Sequence, residues 1–360
     1  MIPDAVDLKT CRRVLVIKLR HHGDVLLSSP VFSALRAAAP HLEIDALVYD
    51  DTASMLAQHP AVSQVHTVGR DWRDAGLWDR AGHETRLALA LRARHYELLI
   101  HLTDHPRGAW LARWLGVRAA SAPRRDGRWW AGSFTHRYPV LKNGTRHTVE
   151  THLDALRRIG VQPDAGARRL VLEPGRDAYA RIDTLLAAKD LHAKRFIHLH
   201  QASRWQFKCW TARGNAELID ALTRNGHRVV LTGAPSADER AFVAEILKLA
   251  RYAPIDLTGQ LSLKELAALT ARARLFVGVD SAPMHIAAAM GTPTVALFGP
   301  SGDIEWAPWQ VPHRIVTSRE HRCRPCGQDG CGGGKVSECL TTLSVKAVLG
   351  ATDALLAETA

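Results

Sequence analysis

The feature that most constrains the fold of this chain is a repeated alternation of short apolar runs with amphipathic helical patterns. In the first half, strands are predicted at 12–19, 43–49, 64–68, 97–103 and 117–123, and helices at 25–39, 84–95 and 150–160. In the second half, strands are predicted at 196–203, 228–235, 254–259, 275–281 and 294–299, and helices at 212–225, 236–250, 262–273 and 283–290. This alternation is typical of βαβ units around a parallel sheet, so the sequence predicts an α/β protein.

The chain is long enough for two domains, because its 360 residues exceed what one hydrophobic core usually serves. Segment 161–177 is rich in proline, glycine and charged residues, which indicates that the chain leaves the first domain here and enters a linker. We therefore predict one α/β domain over 1–175 and a second over 176–342. The amphipathic C-terminal segment 343–360 is predicted to be a helix that packs back toward the first domain. Two similar halves also imply a cleft between their carboxyl edges.

The overall composition is that of a soluble globular protein, with 46% hydrophobic and 23% charged residues. No apolar run approaches the roughly 20 residues needed to span a bilayer. The N-terminus lacks the apolar core of a signal peptide, so we expect a cytoplasmic protein.

Positive charge is concentrated in one part of the chain. The formal net charge is +11, and residues 101–170 hold 13 Lys/Arg against 5 Asp/Glu. The excess is either a solvated basic face or a site for an anionic partner, such as a membrane surface, a phosphorylated glycolipid or nucleic acid. Because no nucleic-acid module accompanies the charge, we do not expect nucleic acid. Segment 124–134 is the first place to look, and the tryptophans of this basic region are Trp110, Trp114, Trp129 and Trp130.

The loop after the first strand, 20–24, offers one carboxylate among basic side chains. It lacks the G-x-G-x-x-G fingerprint of dinucleotide binding, and no P-loop motif occurs in the chain, so a dehydrogenase and a P-loop NTPase are both disfavoured. Asp24 is either a helix N-cap, contributing about 1 kcal/mol, or a general base. Its ionised form would be favoured, and an anionic substrate attracted, by Lys18, Arg20, His21 and His22.

The second half carries its most specific pattern at 278–300, GVDSAPMHIAAAMGTPTVALFGP. A buried strand ends at Asp280, and a small-residue helix begins near Pro283. The backbone amides at that helix start suit a pyrophosphate. Alternatively, Asp280 and Ser281 are helix caps and His285 is an ordinary helix histidine.

Two further loops lie at the same predicted sheet edge. HQASRWQFKCW (200–210) brings Lys208 to a position where it could meet a phosphate. TGAPSADER (232–240) brings Asp238 and Glu239, either of which could accept hydrogen bonds from a ribose or an adenine. Each loop alone could be ordinary surface, but three on successive strands predict a nucleotide pocket.

RVLVIKLRHHGDVLLSSPV, HQASRWQFKCW, LTGAPSADER and VDSAPMHIAAAMGTPTVALFG, in this order and spacing, resemble the heptosyltransferases of glycosyltransferase family 9 from about 12 to 357. The first two stretches are most similar to the heptosyltransferase III group. The resemblance implies a GT-B fold, with two Rossmann-like domains facing across a cleft. It implies an inverting, metal-independent transfer of L-glycero-D-manno-heptose from ADP-heptose to a heptose of the lipid A-linked core, by an enzyme peripheral to the cytoplasmic face of the inner membrane.

The same resemblance implies residue roles. Asp24 would deprotonate the acceptor hydroxyl, and the acceptor would be met by Lys18, Arg20, His21, His22 and Gly23. Lys208 and the amides around Ser281 and Ala282 would stabilise the leaving diphosphate. Asp280 would hold the donor heptose, with His285 beside it. The turn at Gly233 precedes an acid that contacts adenosine in relatives; that position aligns with Ala237 here, leaving Asp238 and Glu239 as alternatives.

Two rival functions remain open at this point. Within the same class, the protein could be another core glycosyltransferase with a different acceptor position or donor sugar. In another class, it could be a non-catalytic nucleotide-sugar-binding protein of core assembly. Intact Asp24, Lys208 and Asp280 speak against the second rival.

Four of the six cysteines crowd into the predicted cysteine-rich loop 321–340 with the spacing C-x2-C-x4-C-x7-C: Cys323, Cys326, Cys331 and Cys339. In a cytoplasmic protein such a cluster favours metal over disulfides. The pattern fits either a structural zinc site with four cysteine ligands or a set of reduced thiols on a glycine-rich loop. No metal is required by the implied reaction.

Overall fold

The computed structural model describes residues 4–141 and 144–360, which form two α/β units divided between Glu173 and Pro174. The strands of the N-terminal unit are β1 (Arg13–Ile17), β2 (Glu43–Tyr49), β3 (Gln64–Val68), β4 (Leu98–His101), β5 (Ala119–Pro123) and β6 (His136–Tyr138). Its helices are α1 (His22–Leu26), α2 (Ser29–Ala38), α3 (Leu77–Ala93), α4 (Pro106–Leu115), α5 (Arg128–Ala131) and α6 (Thr148–Arg157).

The C-terminal unit repeats the same alternation. Its strands are β7 (Phe196–His200), β8 (Arg228–Leu231), β9 (Ile255–Asp256), β10 (Leu275–Val279), β11 (Thr294–Phe298) and β12 (His313–Thr317). Its helices are α7 (Arg176–Ala188), α8 (Ala212–Arg224), α9 (Ala237–Leu249), α10 (Leu263–Arg272), α11 (Ala282–Ala289), α12 (Glu338–Thr341) and α13 (Val345–Glu358).

The two units share one strand order. The first sheet runs β3-β2-β1-β4-β5-β6, and the second runs β9-β8-β7-β10-β11-β12 when read in the same direction. Both are the doubly wound order 3-2-1-4-5-6, and all neighbouring strands are parallel. The predicted α/β class is therefore confirmed, and each unit has one point where the strand order reverses: between β1 and β4, and between β7 and β10.

The central strands are apolar because helices cover both faces of each sheet. In β1, Val14 to Ile17 have no exposed surface, and in β10 all five residues are buried. Strands buried on both faces read as continuous apolar runs rather than as alternating ones. That is why the sequence predicted these strands.

Several elements differ from the predictions. The edge strands β6 and β12 and the helices α4 and α7 were not predicted. The single helix predicted over 25–39 is wrong: α1 ends at Leu26, and α2 starts at Ser29 with Pro30 in its first turn. A proline has no N–H to continue the preceding helix, but it is well tolerated in the first turn of a new one.

The core of the N-terminal unit includes one of the tryptophans predicted for a basic surface. Trp130 is only 3% exposed, packs at 4.8 Å from the Phe134 ring centroid, and donates from Nε1 to the Pro123 carbonyl at 2.9 Å. The prediction that Trp130 lies on the basic surface is wrong: neighbouring Trp129 faces solvent, and Trp130 belongs to the core.

The C-terminal helix α13 belongs to the core of the second unit. Val348 and Leu355 join the buried cluster around Ile197, and α13 packs on α8, β11 and β12. Just before the helix, the Leu343 carbonyl accepts a hydrogen bond from Trp210 Nε1 at 3.1 Å. These contacts are with the C-terminal unit; packing of the helix toward the first domain remains a prediction.

Across the described parts of the chain, every helix is too short or too polar to cross a bilayer.

Candidate functional site

The best place for a ligand in each sheet is the carboxyl edge at the reversal of strand order, where adjacent loops diverge. In the N-terminal unit, the loops after β1 and β4 meet there. In the C-terminal unit, the loops after β7 and β10 do so. Each edge carries a lysine beside an aspartate.

In the N-terminal unit, the aspartate is Asp24 in the first turn of α1. The N-cap of this helix is His21, so Asp24 does not fill the capping position that was its alternative. Its side chain is 21% exposed, and Oδ1 lies 3.5 Å from the ammonium of Lys18. A partly exposed carboxylate beside a fixed positive charge is suited to receiving a proton from a bound hydroxyl.

Lys18 is buried and held on three sides. Besides Asp24, its Nζ lies 2.9 Å from His152 Nε2 on α6 and 3.4 Å from the Leu102 carbonyl after β4. Burial lowers the pKa of Lys18, while the charge of Asp24 acts in the opposite direction. Lys18 therefore supports Asp24 from inside the unit, and its predicted contact with an acceptor remains a prediction.

His152 is a residue that the sequence analysis missed. Its Nδ1 lies 3.0 Å from the Leu27 carbonyl, and because a carbonyl only accepts, the hydrogen-bond pattern places the ring proton on Nδ1. Nε2 then carries a lone pair and accepts from Lys18. Burial holds the pKa of His152 well below its usual value, so the ring stays neutral. Nothing in the local sequence signals this role, because the two residues are 134 positions apart.

The rest of the 20–24 loop is tied to neighbouring strand ends. Arg20 is half exposed and donates from Nη2 to Asp104 Oδ1 at 2.7 Å. His22 donates from Nε2 to the Asp51 carbonyl at 2.9 Å. The carbonyls of His21 and Gly23 accept the helical hydrogen bonds from the amides of Val25 and Leu27.

Two further arginines lie at this edge, although neither was predicted as part of the acceptor site. Arg70, just after β3, donates to the Arg20 carbonyl at 2.9 Å and to Asp51 Oδ2 at 2.8 Å. Arg125, just after β5, donates to the Asp104 carbonyl at 2.8 Å. Both follow a strand within two residues, a signal that the sequence did contain. The predicted acceptor edge thus carries more arginines than the 20–24 loop alone, two of which are paired with Asp51 and Asp104.

In the C-terminal unit, the fold brings Lys208 and Asp280 together although they are 72 positions apart. Lys208 Nζ donates to Asp280 Oδ2 at 2.6 Å, and Asp280 is 5% exposed. Lys208 ends a short 3-10 helix over Gln206–Lys208, and its ammonium lies 5.2 Å from the Trp205 ring centroid. The pair places one cation and one carboxylate side by side at the reversal point.

Helix α11 starts directly beside this pair. Ser281 is its N-cap and Ala282 its first residue, with Pro283 in the first turn as predicted. The Ser281 hydroxyl makes no capping bond; it lies 3.4 Å from the Val279 carbonyl. Within the first turn, Pro283 has no N–H and the Met284 amide donates to the Ser281 carbonyl at 3.1 Å, so the predicted backbone donors to an anion are the amides of Ser281 and Ala282. His285 is buried on the same helix, with its ring 6.4 Å from that of Trp306.

The turn after β8 separates the two candidate adenosine acids. Glu239 is 6% exposed, and its Oε2 accepts from the Ala234 amide at 2.8 Å, bracing the turn that contains Gly233. Burial raises the pKa of Glu239. Asp238 is exposed in the first turn of α9. Which of the two meets an adenosine remains a prediction.

The cysteine-rich loop follows β12. Cys323, Cys326 and Cys331 are exposed, Cys339 is buried, and all four are free thiols. Burial raises the pKa of Cys339, the charge of Arg324 lowers it, and the other three thiols raise it. Even so, within residues 4–141 and 144–360 no group of three or more His, Cys, Asp or Glu side chains is placed to hold a metal ion. The predicted zinc therefore enters no step below.

Comparisons with known proteins bear on both units. A family model described as glycosyltransferase family 9 (heptosyltransferase) matches residues 84–336. Lipopolysaccharide heptosyltransferase 3 of Escherichia coli K12 is 36% identical over 295 residues, covering 81% of this chain and 83% of that protein.

Solved structures show the same architecture. A glycosyl transferase of family 9 from Veillonella parvula matches with a TM-score of 0.84 at 24% identity, covering 99% of both chains. E. coli heptosyltransferase WaaC with ADP-2-deoxy-2-fluoro heptose matches with a TM-score of 0.70 at 21% identity, covering 97% of this chain and 100% of that one. These likenesses confirm the predicted GT-B fold.

Proposed function

The chain belongs to glycosyltransferase family 9, and on that premise we propose that it transfers L-glycero-D-manno-heptose from ADP-heptose to a heptose of the lipopolysaccharide inner core. Family membership makes it a glycosyltransferase. The third-heptose type is supported by the similarity to heptosyltransferase 3, and the donor by the ADP-heptose analogue bound to WaaC. The observation that carries the proposal is the placement of Asp24 at the reversal point, backed by the buried Lys18 at 3.5 Å.

In the proposed reaction, Asp24 takes the proton of an acceptor heptose hydroxyl. The acceptor oxygen attacks the anomeric carbon of the donor from the face opposite the diphosphate. A carbon–oxygen bond forms to the acceptor as the bond to ADP breaks, so one displacement inverts the anomeric configuration. The proton remains on Asp24 until product release, and the electron pair leaves with ADP.

Negative charge grows on the leaving diphosphate during this step. Lys208 and the amides of Ser281 and Ala282 are the groups proposed to stabilise it, because preorganised donors are most effective where charge develops. Asp280, 2.6 Å from Lys208, would orient that ammonium and accept from the donor heptose hydroxyls. His285, Gly233 and one of Asp238 and Glu239 would complete the donor site.

The acceptor is proposed to bind at the cationic edge of the N-terminal unit. Arg20, His21, His22 and Gly23 would contact it, with Arg70 and Arg125 adding positive charge. Such an edge suits an anionic glycolipid. The acceptor is anchored in a membrane, so we propose that the protein works at the cytoplasmic face of the inner membrane as a peripheral protein.

The test is a transfer assay with the purified full-length chain, ADP-heptose and core acceptors that lack the third heptose. Mass spectrometry should find one added heptose, and NMR should show the inverted anomer on a core heptose. Transfer from another nucleotide sugar, or to another core position, would favour the rival glycosyltransferases. Donor binding without transfer to any core acceptor would favour the non-catalytic protein.

The cysteine cluster needs a separate test, because it is not part of the proposed reaction. Elemental analysis of protein purified under reducing conditions decides between the two alternatives. One zinc per chain would support a structural site, and a zinc-free, folded protein would leave the four residues as reduced thiols.

A further inference from the structure

Besides Trp78, which is 91% exposed at the start of α3, the N-terminal unit exposes three tryptophans on the helices α4 and α5. Trp110 and Trp114 on α4 are 47% and 40% exposed, and Trp129 on α5 is 49% exposed. Trp110 and Trp114 are one helical turn apart and stack with their ring centroids 5.7 Å apart at 9°. Scattered apolar side chains are normal on a protein surface, but large aromatic groups gathered on one face mark an interaction site.

Arginines connect these tryptophans into one surface. The Arg92 guanidinium of α3 lies 4.9 Å from the Trp114 ring centroid. Arg113 of α4 lies 5.9 Å from the Trp129 ring centroid and donates to the Trp129 carbonyl at 3.4 Å. These contacts join α3, α4 and α5. We call the five side chains the Trp–Arg surface.

The charge of these helices is strongly positive. Together α3, α4 and α5 carry six arginines and two acidic residues. One of the two acids, Glu84, forms an ion pair with Arg107. Arg92 and Arg113 each contact a tryptophan ring, so their charge lies beside exposed aromatic area.

We propose that the Trp–Arg surface docks the protein on an anionic lipid bilayer. Tryptophan prefers the headgroup region, where its ring is shielded and its N–H stays solvated, and arginine pairs with lipid phosphates. We choose a bilayer over nucleic acid because no nucleic-acid module accompanies the charge in the sequence, and over an acidic protein because the proposed acceptor is anchored in a lipid. The proposal deepens the proposed function, since a lipid-anchored acceptor requires an enzyme at the membrane.

Docking through this surface should depend on both lipid charge and salt concentration. Each basic side chain near an anionic leaflet strengthens partitioning several-fold, and this attraction falls off over the Debye length, about 10 Å at 0.1 M salt, so added salt weakens it. Docking should therefore need anionic lipid and fall with ionic strength, while the tryptophans supply a part that is insensitive to salt.

The experiment is vesicle sedimentation of the full-length protein without substrates. Vesicles of phosphatidylcholine mixed with phosphatidylglycerol should bind the protein, and vesicles of phosphatidylcholine alone should bind it much more weakly. Trp110→Ala with Trp114→Ala, and separately Arg92→Gln with Arg113→Gln, should each weaken partitioning by about tenfold. The matched control is Arg251→Gln with Tyr252→Ala, an exposed pair on the C-terminal unit that should change nothing.

Several outcomes would overturn the proposal. It fails if the surface variants bind anionic vesicles as well as the wild type does, while circular dichroism shows all variants folded. It also fails if the wild type does not bind anionic vesicles, and a dimer that the tryptophan variants disrupt would then show that the surface joins two copies. The variants should keep transfer to a delipidated, water-soluble acceptor. A wild type that docks but transfers nothing would contradict the proposed function alone.

Discussion

Each unit places a lysine–aspartate pair at the reversal point of its sheet, yet the two pairs are built differently. Lys18 and Asp24 lie 3.5 Å apart, with the lysine buried and also bound to His152 and the Leu102 carbonyl. Lys208 and Asp280 lie 2.6 Å apart, with the aspartate the more buried partner. In the first pair the carboxylate faces outward, and in the second the ammonium does.

The two pairs therefore suit different chemistry, although the two sheets have the same strand order. An outward carboxylate with an internal counter-charge can accept a proton, whereas an outward ammonium held by an internal carboxylate can meet a phosphate. The shared strand order sets where each site lies, and the direction of the pair sets what it can do. The following predictions test whether the two pairs are as different as their geometry indicates.

The largest effect is expected for Asp24→Asn. The change keeps the shape of the side chain but removes the proton acceptor, so transfer should fall by about 10²- to 10⁴-fold. Initial rates with saturating ADP-heptose measure this loss. Binding of ADP, followed by calorimetry, should be unchanged because the proposed donor site lies in the other unit. Near-normal transfer by a folded variant would remove Asp24 from the reaction.

The second-largest effect is expected for acidification. Both units share one feature that makes them sensitive to acid, namely two buried histidines that are neutral in the folded state. Burial lowers the pKa of His101 to about 3 and of His200 to about 4, and it also lowers the pKa of His152 and His198. His198 and His200 both lie 2.8 Å from the Thr232 hydroxyl.

These lowered pKa values determine how the stability of the protein changes with pH. The unfolded chain binds protons near the ordinary pKa of about 6.5 and the folded chain does not, so stability is fully present above that pH and is lost as the pH falls below it. Each histidine should lower the free energy of unfolding by up to about 1.4 kcal/mol per pH unit. Denaturant unfolding at pH 7 and pH 5 measures the loss. His192→Gln, an exposed control, should not change the slope. A protein that is as stable at pH 5 as at pH 7, or one in which acid unfolds only one unit, would contradict this likeness between the two units.

The third effect is expected for Lys208→Met. Removing the ammonium takes a cation from the proposed diphosphate site and leaves the buried Asp280 unpaired, so ADP affinity should weaken by about 10- to 100-fold. Calorimetry with ADP measures the change, and Lys208→Arg should retain most of the affinity.

Lys18→Met supplies the matched contrast for this prediction. It removes the lysine of the other pair and should leave ADP affinity unchanged while lowering transfer. Equal loss of ADP affinity in both lysine variants would show that the two pairs do not divide donor and acceptor roles.

The two pairs could be predicted from the sequence to different extents, because their residues are separated by different lengths of chain. Lys18 and Asp24 are six residues apart in one loop, so a single strand-to-helix pattern brought them to notice. Lys208 and Asp280 come from separate loops, and their direct bond depends on the strand order, which pattern reading does not provide. The resemblance named both residues, but it did not state that they pair.

Other features could not be predicted from the sequence, because they depend on how distant elements pack together. The role of His152 depends on the packing of α6 against α2 and β4. Trp129 and Trp130 are adjacent and identical in type, and only the short helix α5 decides which one is buried. The buried central strands were predictable from continuous apolar runs, whereas the edge strands β6 and β12 are shorter or less buried and carry no such run.

The smallest effect, and the sharpest test of the comparison, is expected for His152→Phe. The change removes the acceptor that holds the Lys18 ammonium, while ADP binding should be untouched. A hydrogen bond to a charged group contributes about 1.5–3 kcal/mol, and only part of it reaches Asp24, so kcat should fall by about three- to tenfold with little change in KM. Loss of this bond disfavours the charged lysine, so the already lowered pKa of Lys18 should fall further. The alkaline limb of the pH profile should therefore move to lower pH, and His152→Gln, whose side-chain oxygen can accept from Lys18, should restore it. If Phe and Gln variants lose the same activity with the alkaline limb unmoved, His152 is only a packing residue, and the first pair is then as simple as the second.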